Sequence, residues 1–268
     1  MTQATPRVRE VALSEIAPDG AARSAFLELH APWTGRGLTR WLSLLAPDAR
    51  RPVLVVGAYD EGDGALLGAV IGVWDEAPCE RFDDLFEGLP GARHAPTDRP
   101  ADGAWHLISV TTTESAEVRN LGLGRTLLGN ILAILGATGH TRVCTMSPAL
   151  GLPELAAVWP YGVDDAVLHA ARADARPALQ VMRLHLGGGA TLDRVLHDSR
   201  RDDRASGGIN LRFCYSTSPA ERLAQKQRWQ RWIAARAADL AIVRDDYEGA
   251  PLYRAGAAED ALVWRGFN

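Results

Sequence analysis

The spacing of apolar and polar positions changes several times along the chain. Within residues 1–50, SAFLELH and LTRWLSLLAPDAR carry apolar residues at helical intervals, which predicts helices. RPVLVVGAYD and ALLGAVIGVWD are Val-containing apolar runs separated by EGDG, a pattern typical of a β-hairpin. AWHLISVTTTES predicts a further strand because it is rich in β-branched residues.

The second half alternates between short apolar runs and turn signals. GRTLLGNILAILGATG predicts a helix that ends at Gly139, and RVCTMSPALG predicts a strand broken at Pro148. LQVMRLHL predicts another strand, ATLDRVLHDSRRDDRASGG a polar segment of turns, and INLRFCYS a final strand. Ser218 and Pro219 are a typical cap and first residue for the helix AERLAQKQRWQRWIAARAADL. This order of elements indicates an α+β fold rather than strict βαβ alternation.

The organisation that we expect has three parts. Residues 1–50 form an N-terminal helical segment packed on the core, residues 51–240 form the main domain, and residues 241–268 form a tail packed on that domain. Residues 76–103 are rich in Pro, Gly, Asp and Arg and predict a long surface excursion.

The net charge and the cysteines of the chain indicate which partners and which cellular compartment to expect. The chain has 29 Lys and Arg against 33 Asp and Glu, for a net charge of −4, so we expect no chain-wide basic surface for nucleic acid. Cys79, Cys144 and Cys214 are widely separated, which suits a reducing compartment and indicates neither a disulfide framework nor a metal site. We expect no secretion signal and no membrane span, and therefore a soluble, cytoplasmic protein.

One short stretch, VRNLGLGRTLLG, carries a candidate anion site. A helix N-terminus presents backbone N–H groups without partners, and glycines before it let phosphates approach the backbone. Gly122 and Gly124 stand there between Arg119 and Arg125. A P-loop would need a glycine at position 119 and a lysine at 125, and a dinucleotide fingerprint would need a third glycine where Leu127 stands. The P-loop and the dinucleotide fingerprint are therefore excluded. Two interpretations are left: an anion site of another kind, or an ordinary surface turn that caps a helix.

Arg119-Asn120-Leu121-Gly122-Leu123-Gly124 resembles the R/Q-x-x-G-x-G/A signature of the GNAT (Gcn5-related N-acetyltransferase) superfamily. That resemblance implies a GNAT-like α+β fold. Its central sheet is mixed, mostly antiparallel and twisted, splays between the fourth and fifth strands, is flanked by helices, and here carries the N-terminal helical extension. The resemblance also implies coenzyme A or a phosphopantetheine thioester as substrate, without a metal. The implied binding residues are Val110, Thr111, Thr112, Arg119, Asn120, Leu121, Gly122, Leu123, Gly124, Arg125 and Thr126.

A second set of residues resembles malonyl-CoA decarboxylases and the GNAT-like loading domains of polyketide synthases. Thr145 and Ser147 precede Pro148 in the place of the fifth strand, and His185 precedes three glycines. Arg200 follows His185 with fourteen residues between them, as in the loading-domain pattern. The resemblance extends over residues 53–215 by the order of these motifs. It implies that Thr145, Ser147, His185 and Arg200 are catalytic.

The chemistry of decarboxylation suits these four residues. Loss of CO2 from a malonyl thioester leaves an enolate, and donors aimed at the thioester oxygen lower the barrier. Thr145 or Ser147 would supply a hydroxyl, His185, with a pKa near neutrality, would orient the carboxylate or protonate the enolate, and Arg200 would bind the carboxylate. Each residue also has a structural interpretation: a core histidine, hydroxyls that satisfy a strand end, and an arginine on a solvated loop.

Three functions are therefore considered. The first is decarboxylation of a malonyl or methylmalonyl thioester to acetyl or propionyl, on coenzyme A or an acyl carrier protein, either alone or followed by acyl transfer to a carrier thiol in polyketide-type biosynthesis. The second is an acyl-CoA-dependent N- or O-acyltransferase, with Glu114 or Glu117 as base and Tyr215 as acid. The third is a protein that senses coenzyme A without turnover. The helical first fifty residues and the extension beyond residue 180 favour the first. The acyl group, the acceptor and the oligomeric state stay open.

Overall fold

The structure is a computed structural model and describes the chain in seven pieces: residues 6–34, 52–75, 82, 103–113, 122–153, 180–199 and 203–236. These pieces contain seven strands and five α-helices. The chain divides into two compact units, and each is described by itself. The first comprises Met1–Cys79 and Asp83–Val143, and the second comprises Glu80–Phe82 and Cys144–Asn268.

The first unit is built on four antiparallel strands that pair in chain order. They are β1 (Pro6–Glu10), β2 (Val53–Asp60), β3 (Leu66–Asp75) and β4 (Ala104–Thr112). All ten residues of β3 are buried, which explains why its sequence is continuously apolar instead of alternating. The turn between β2 and β3 falls at residues 61–63 and confirms the predicted hairpin.

Three helices accompany this sheet: α1 (Leu13–Ile16), α2 (Arg23–Thr34) and α3 (Leu123–Ala137). The buried face of α3 consists of leucines and an isoleucine at helical spacing, and it packs on β2, β3 and β4. The helix is capped at its end by Thr138, and the left-handed Gly139 (φ 88°) follows, as the sequence predicted. None of the helices in the described residues has both the length and the apolar composition that crossing a bilayer requires.

The second unit contains most of β5 (Arg142–Pro148) together with β6 (Thr191–Leu196) and β7 (Asn210–Ser216). The lateral order of these strands is β5-β7-β6, and β6 and β7 are antiparallel. Helix α4 (Gln180–Gly187) precedes β6, and helix α5 (Pro219–Arg236) follows β7 and packs on β7 and α4. The predicted helix beginning at Pro219 is thereby confirmed.

Three of the predicted elements are wrong. Residues 6–10 form β1 rather than part of a helical segment, because a short edge strand needs few apolar residues to pair with β2. QVMRLHL, residues 180–186 of the predicted strand, lies in α4 instead. The buried residues Met182, His185 and Leu186 share one helical face, and that spacing outweighs the apparent alternation. Residues 191–196 form β6 rather than turns, since pairing with the buried β7 overrides their polar composition.

With β1 included, the numbering of the strands agrees with the order that the GNAT resemblance implies. Because β1 is a strand, the glycine turn follows the fourth strand and RVCTMSP is the fifth. The helix predicted at LTRWLSLLAPDAR and most of the predicted excursion at 76–103 lie outside the described residues. The domain boundaries after residues 50 and 240 and the splay of the sheet stay predictions.

Candidate active site

Three polar side chains of the second unit form a continuous chain of hydrogen bonds. Ser147 on β5 contributes its Oγ, which lies 2.8 Å from Nε2 of His185 on α4. The other ring nitrogen of His185, Nδ1, lies 2.7 Å from the hydroxyl of Tyr215 on β7. Two of the residues that the sequence singled out as catalytic are thus brought into direct contact, and Tyr215 joins them.

The alternation of side chains along a strand explains how two strands can supply this cluster. Thr145 and Ser147 are two residues apart on β5 and project to one face, and their hydroxyl oxygens lie 3.5 Å apart. Phe213 and Tyr215 are likewise two apart on β7. The ring of Phe213 lies against the imidazole with 4.6 Å between centroids. The cluster therefore combines the hydroxyls of Thr145 and Ser147 with the apolar ring of Phe213, which packs on the imidazole.

The end of α4 fixes the position of the imidazole. His185 lies in the last turn of the helix, and the amide of Ala190 donates to its carbonyl at 3.0 Å. Gly189 adopts φ 85°, and a Cβ added there would lie 2.4 Å from the carbonyl oxygen of Arg222 on α5. A glycine is therefore required at this position, both for the backbone conformation and for the close approach of α5.

His185 is 2% exposed, and this burial lowers its pKa to about 3. This corrects the expectation of a pKa near neutrality, which did not take account of desolvation. A neutral imidazole carries one N–H, so each ring nitrogen has a defined role. Either Tyr215 donates to Nδ1 while Nε2–H donates to Ser147, or Ser147 donates to Nε2 while Nδ1–H donates to Tyr215. Exchange between the two arrangements moves a proton along the chain.

Tyr215 is the residue whose place in this cluster the sequence did not reveal. It was considered only as an acid for an acyltransferase, whereas here it is a buried partner of His185. The guanidinium of Arg222 donates to the carbonyls of Ser216 and Thr217 directly after it, at 2.7 Å each, and so places positive charge nearby. The sequence signal that could have placed Tyr215 in this cluster is the alternation in the strand INLRFCYS, which sets Phe213 and Tyr215 on one face.

The glycine turn opens α3 in the first unit. Gly122 adopts φ 61° at the N-cap, and no side chain caps the helix. Its carbonyl accepts from the amides of Arg125 and Thr126, whereas the amides of Leu123 and Gly124 make no hydrogen bond to any other described residue. The side chains of Arg125 and Thr126 are exposed. The turn can therefore present two N–H groups and a cation to an anion.

The remaining predicted site residues fall into two groups. Val110, Thr111 and Thr112 end β4, and the hydroxyl of Thr111 shares a hydrogen bond of 2.8 Å with Ser109. Arg119, Asn120, Leu121 and Arg200 lie outside the described residues.

Comparisons with known proteins bear on the fold. No protein-family model matches the chain, and no curated protein matches it in sequence. Malonyl-CoA decarboxylase from Rhodopseudomonas palustris superposes with a TM-score of 0.58 at 17% identity, over 83% of this chain and 63% of that one. The loading GNATL domain of CurA from Lyngbya majuscula superposes with a TM-score of 0.54 at 13% identity, over 80% of this chain and 98% of that one. The chain has the GNAT fold.

A further GNAT-fold structure is that of the GphF GNAT-like decarboxylase in complex with isobutyryl-CoA. Its TM-score is 0.54 at 20% identity, over 79% of this chain and 100% of that one. The present chain spans less than two thirds of the length of the two malonyl-CoA decarboxylases that it matches, 64% and 63%. At these identities the likeness establishes the GNAT fold, and the predicted fold class is confirmed.

Proposed function

We propose that this GNAT-fold protein is an enzyme that decarboxylates a malonyl or methylmalonyl thioester to the acetyl or propionyl thioester. The observation that carries the proposal is the hydrogen-bonded chain Ser147–His185–Tyr215. It joins Ser147 and His185, which the resemblance implied to be catalytic, to a third proton-bearing group. The decarboxylases among the similar structures support the same reaction class.

The reaction breaks the bond between the α-carbon and the carboxylate. CO2 leaves, and the electron pair forms an enolate whose charge lies largely on the thioester oxygen. With Tyr215 donating to Nδ1 and Nε2–H donating to Ser147, the serine hydroxyl is free to donate to that oxygen. One oriented donor of this kind contributes a factor of about 10²–10³ in kcat.

The enolate carbon must then take up one proton. Since His185 is neutral at pH 7, it acts as a relay. Ser147 passes its hydroxyl proton to the carbon and takes Nε2–H in return, while Nδ1 takes the hydroxyl proton of Tyr215, and water then reprotonates the tyrosinate. Arg222, whose guanidinium lies beside the backbone that follows Tyr215, favours the transient negative charge. The overall reaction thus consumes one proton and releases one CO2.

Substrate binding changes the pKa of the histidine. The malonyl carboxylate is an anion, and a negative charge close to an imidazole raises the imidazole pKa. We therefore expect the pKa of His185 to rise when malonyl thioester binds, to stay raised while the charge lies on the enolate, and to fall again once the enolate carbon has been protonated.

The glycine turn at α3 is proposed to bind the diphosphate of coenzyme A. The amides of Leu123 and Gly124 would donate to phosphate oxygens, and Arg125 would add a charge-assisted contact. A phosphopantetheine arm on a carrier protein offers a phosphate to the same groups. The likeness to a loading domain supports a carrier thiol as the second natural substrate.

The deciding experiment offers the purified full chain malonyl-CoA and methylmalonyl-CoA, free and as carrier-protein thioesters, and follows the mass of the acyl group. We expect loss of CO2 that depends on Ser147 and His185, tested with Ser147→Ala and His185→Ala. His30→Ala is the matched control, since His30 is also a buried histidine but lies on α2. A malonyl thioester that stays intact while acetyl-CoA acetylates an amine would establish the acyltransferase instead. Coenzyme A binding without turnover of any thioester would establish the sensor.

A further inference from the structure

Two of the three cysteines lie against each other in the second unit. Cys144 on β5 and Cys214 on β7 are 70 residues apart in the chain, yet their Sγ atoms are 3.1 Å apart. They are 3% and 5% exposed. The wide spacing in the sequence concealed this contact, which arises because β5 and β7 are neighbours in the sheet.

The thiol pair lies on the opposite face of the same two strands from the candidate active site. Cys144 immediately precedes Thr145, and Cys214 immediately precedes Tyr215. Successive residues of a strand project to opposite faces, so the sulfurs lie behind the backbone that carries the hydroxyls. Any change in the separation of the two sulfurs therefore acts directly on the strands that position Ser147 and Tyr215.

The geometry points to an oxidation site. We propose that Cys144 and Cys214 form an intramolecular disulfide when the protein meets a peroxide. A disulfide needs sulfurs about 2.05 Å apart, so closing the bond requires an approach of only about 1 Å.

The oxidation proceeds in two steps. One cysteine attacks hydrogen peroxide, the O–O bond breaks, and the products are a sulfenic acid and water. The second thiol then attacks the sulfenic sulfur, the S–O bond breaks, and a second water leaves with the thiol proton. The two sulfurs lose two electrons, and peroxide gains them. A dithiol returns the pair to the reduced form by thiol–disulfide exchange when local opening of the two strands exposes the disulfide.

Burial determines which product forms. Thiols that are at least 95% covered are closed to large reagents such as glutathione, whereas hydrogen peroxide is scarcely larger than water. The partner of the sulfenic acid is then the second cysteine, which is already in contact. We expect a slow and selective reaction that gives an intramolecular disulfide instead of a mixed disulfide.

The disulfide is also expected to inhibit turnover, and this part of the inference rests on the proposed function. Drawing β5 and β7 together displaces the backbone beside Thr145 and Tyr215. The contacts of 2.7 and 2.8 Å on the other face depend on the separation of these strands and of α4. A displacement of about 1 Å in catalytic groups can cost about 10²-fold in rate.

In the experiment the full chain is treated with hydrogen peroxide and alkylated with N-ethylmaleimide under denaturing conditions, and its mass is measured by mass spectrometry. The three cysteines of the reduced chain take three labels, and the oxidised chain should take one, with Cys144 and Cys214 joined in the peptide map. Cys144→Ala and Cys214→Ala should each abolish the cross-link. Cys79→Ala should retain it. A cross-link to Cys79, a dimer, or three labels after complete treatment would overturn the proposal.

Inhibition is measured separately. The absence of inhibition by the disulfide can then be distinguished from the absence of the proposed decarboxylation. Oxidised wild-type protein should lose at least tenfold in decarboxylation rate, and dithiothreitol should restore it. The two alanine variants should keep their rates after peroxide. A disulfide that forms without any loss of rate would overturn the inhibitory role. If no decarboxylation is detected in reduced protein, the mass result still decides the oxidation site.

Discussion

The imidazole of His185 and the hydroxyl of Tyr215 are joined at 2.7 Å through Nδ1, which leaves Nε2 directed at Ser147. Both ring nitrogens are thus engaged, and the ring is also packed against Phe213. An imidazole held in this way cannot turn without losing two hydrogen bonds. The arrangement fixes which ring nitrogen faces the serine and, under the proposed function, the path by which a proton reaches the substrate through Ser147.

Removal of the imidazole tests this relation most directly. We expect His185→Ala to lower kcat for malonyl-thioester decarboxylation by about 10²–10⁴, the usual contribution of a positioned acid–base group. KM should change little, because the diphosphate contacts are unaffected. The measurement is steady-state CO2 release, with folding checked by circular dichroism. His30→Ala should keep wild-type kcat, and an equal loss in that variant would mean that a buried histidine matters only for folding.

Tyr215→Phe isolates the hydroxyl from the aromatic ring. The ring stays in its buried position, while Nδ1 of His185 loses its partner. We expect a fall of about 10–100-fold in kcat, because the proton held at Nδ1 is no longer specified, and a loss of about 1 kcal/mol in the free energy of unfolding. Rates come from the same assay and stability from urea titration. Full activity in this variant would remove Tyr215 from the relay.

How far the sequence predicts this fold depends on which interactions decide each element. The hairpin, β4, α3 and β5 were predictable because local periodicity and tertiary packing agree in them. Helix α4 was misread because eight residues supply barely two turns, too few to distinguish alternation from a helical face. Strand β6 was misread because its pairing with β7 is a long-range contact that no local pattern encodes.

The candidate site was predictable as residue types but not as geometry. Ser147 and His185 were selected by chemistry and resemblance, and the structure places them in contact. Desolvation of His185 and the contact of Cys144 with Cys214 follow from packing between elements that are distant in the chain. Neither can be read from local sequence.

The low pKa of His185 predicts a pH dependence of stability. The imidazole has a pKa near 6.5 in the unfolded chain and about 3 in the folded protein, so below pH 6.5 the unfolded state binds the extra proton. Its contribution is fully present above pH 6.5 and is lost progressively as the pH falls towards 3. Between pH 7 and pH 5 the loss is about 2 kcal/mol.

Carboxylates titrate in part of the same range, so a variant is needed to isolate the histidine. His185→Gln is polar and does not titrate, and its free energy of unfolding should fall less steeply over that interval, by about 2 kcal/mol. Urea titrations of both proteins at pH 7, 6 and 5 provide the comparison. Parallel pH curves for wild type and variant would show that His185 is not desolvated in the folded protein.

Two glycines of the α3 region give opposite predictions from the same substitution. Gly122 adopts φ 61° at the N-cap, whereas Gly129 lies within the helix, and an added Cβ meets nothing within 4 Å at either position. Steric clash is therefore absent in both, and backbone preference decides. Gly122→Ala should cost about 1–2 kcal/mol, because an alanine is forced into the left-handed region. Gly129→Ala should add about 0.5–1 kcal/mol through helix propensity.

The same pair tests the proposed diphosphate site. If alanine at position 122 reorients the turn so that the amides of Leu123 and Gly124 no longer converge, the Kd for coenzyme A should rise at least tenfold. Gly129→Ala, about two turns further along the helix, should leave the Kd unchanged. Isothermal titration measures binding, and urea titration measures stability. Equal affinities for coenzyme A in the two variants would place the diphosphate elsewhere. If only Gly122→Ala binds coenzyme A more weakly, the ligand binds at the N-terminus of α3, and the loss of affinity does not come from a less stable helix.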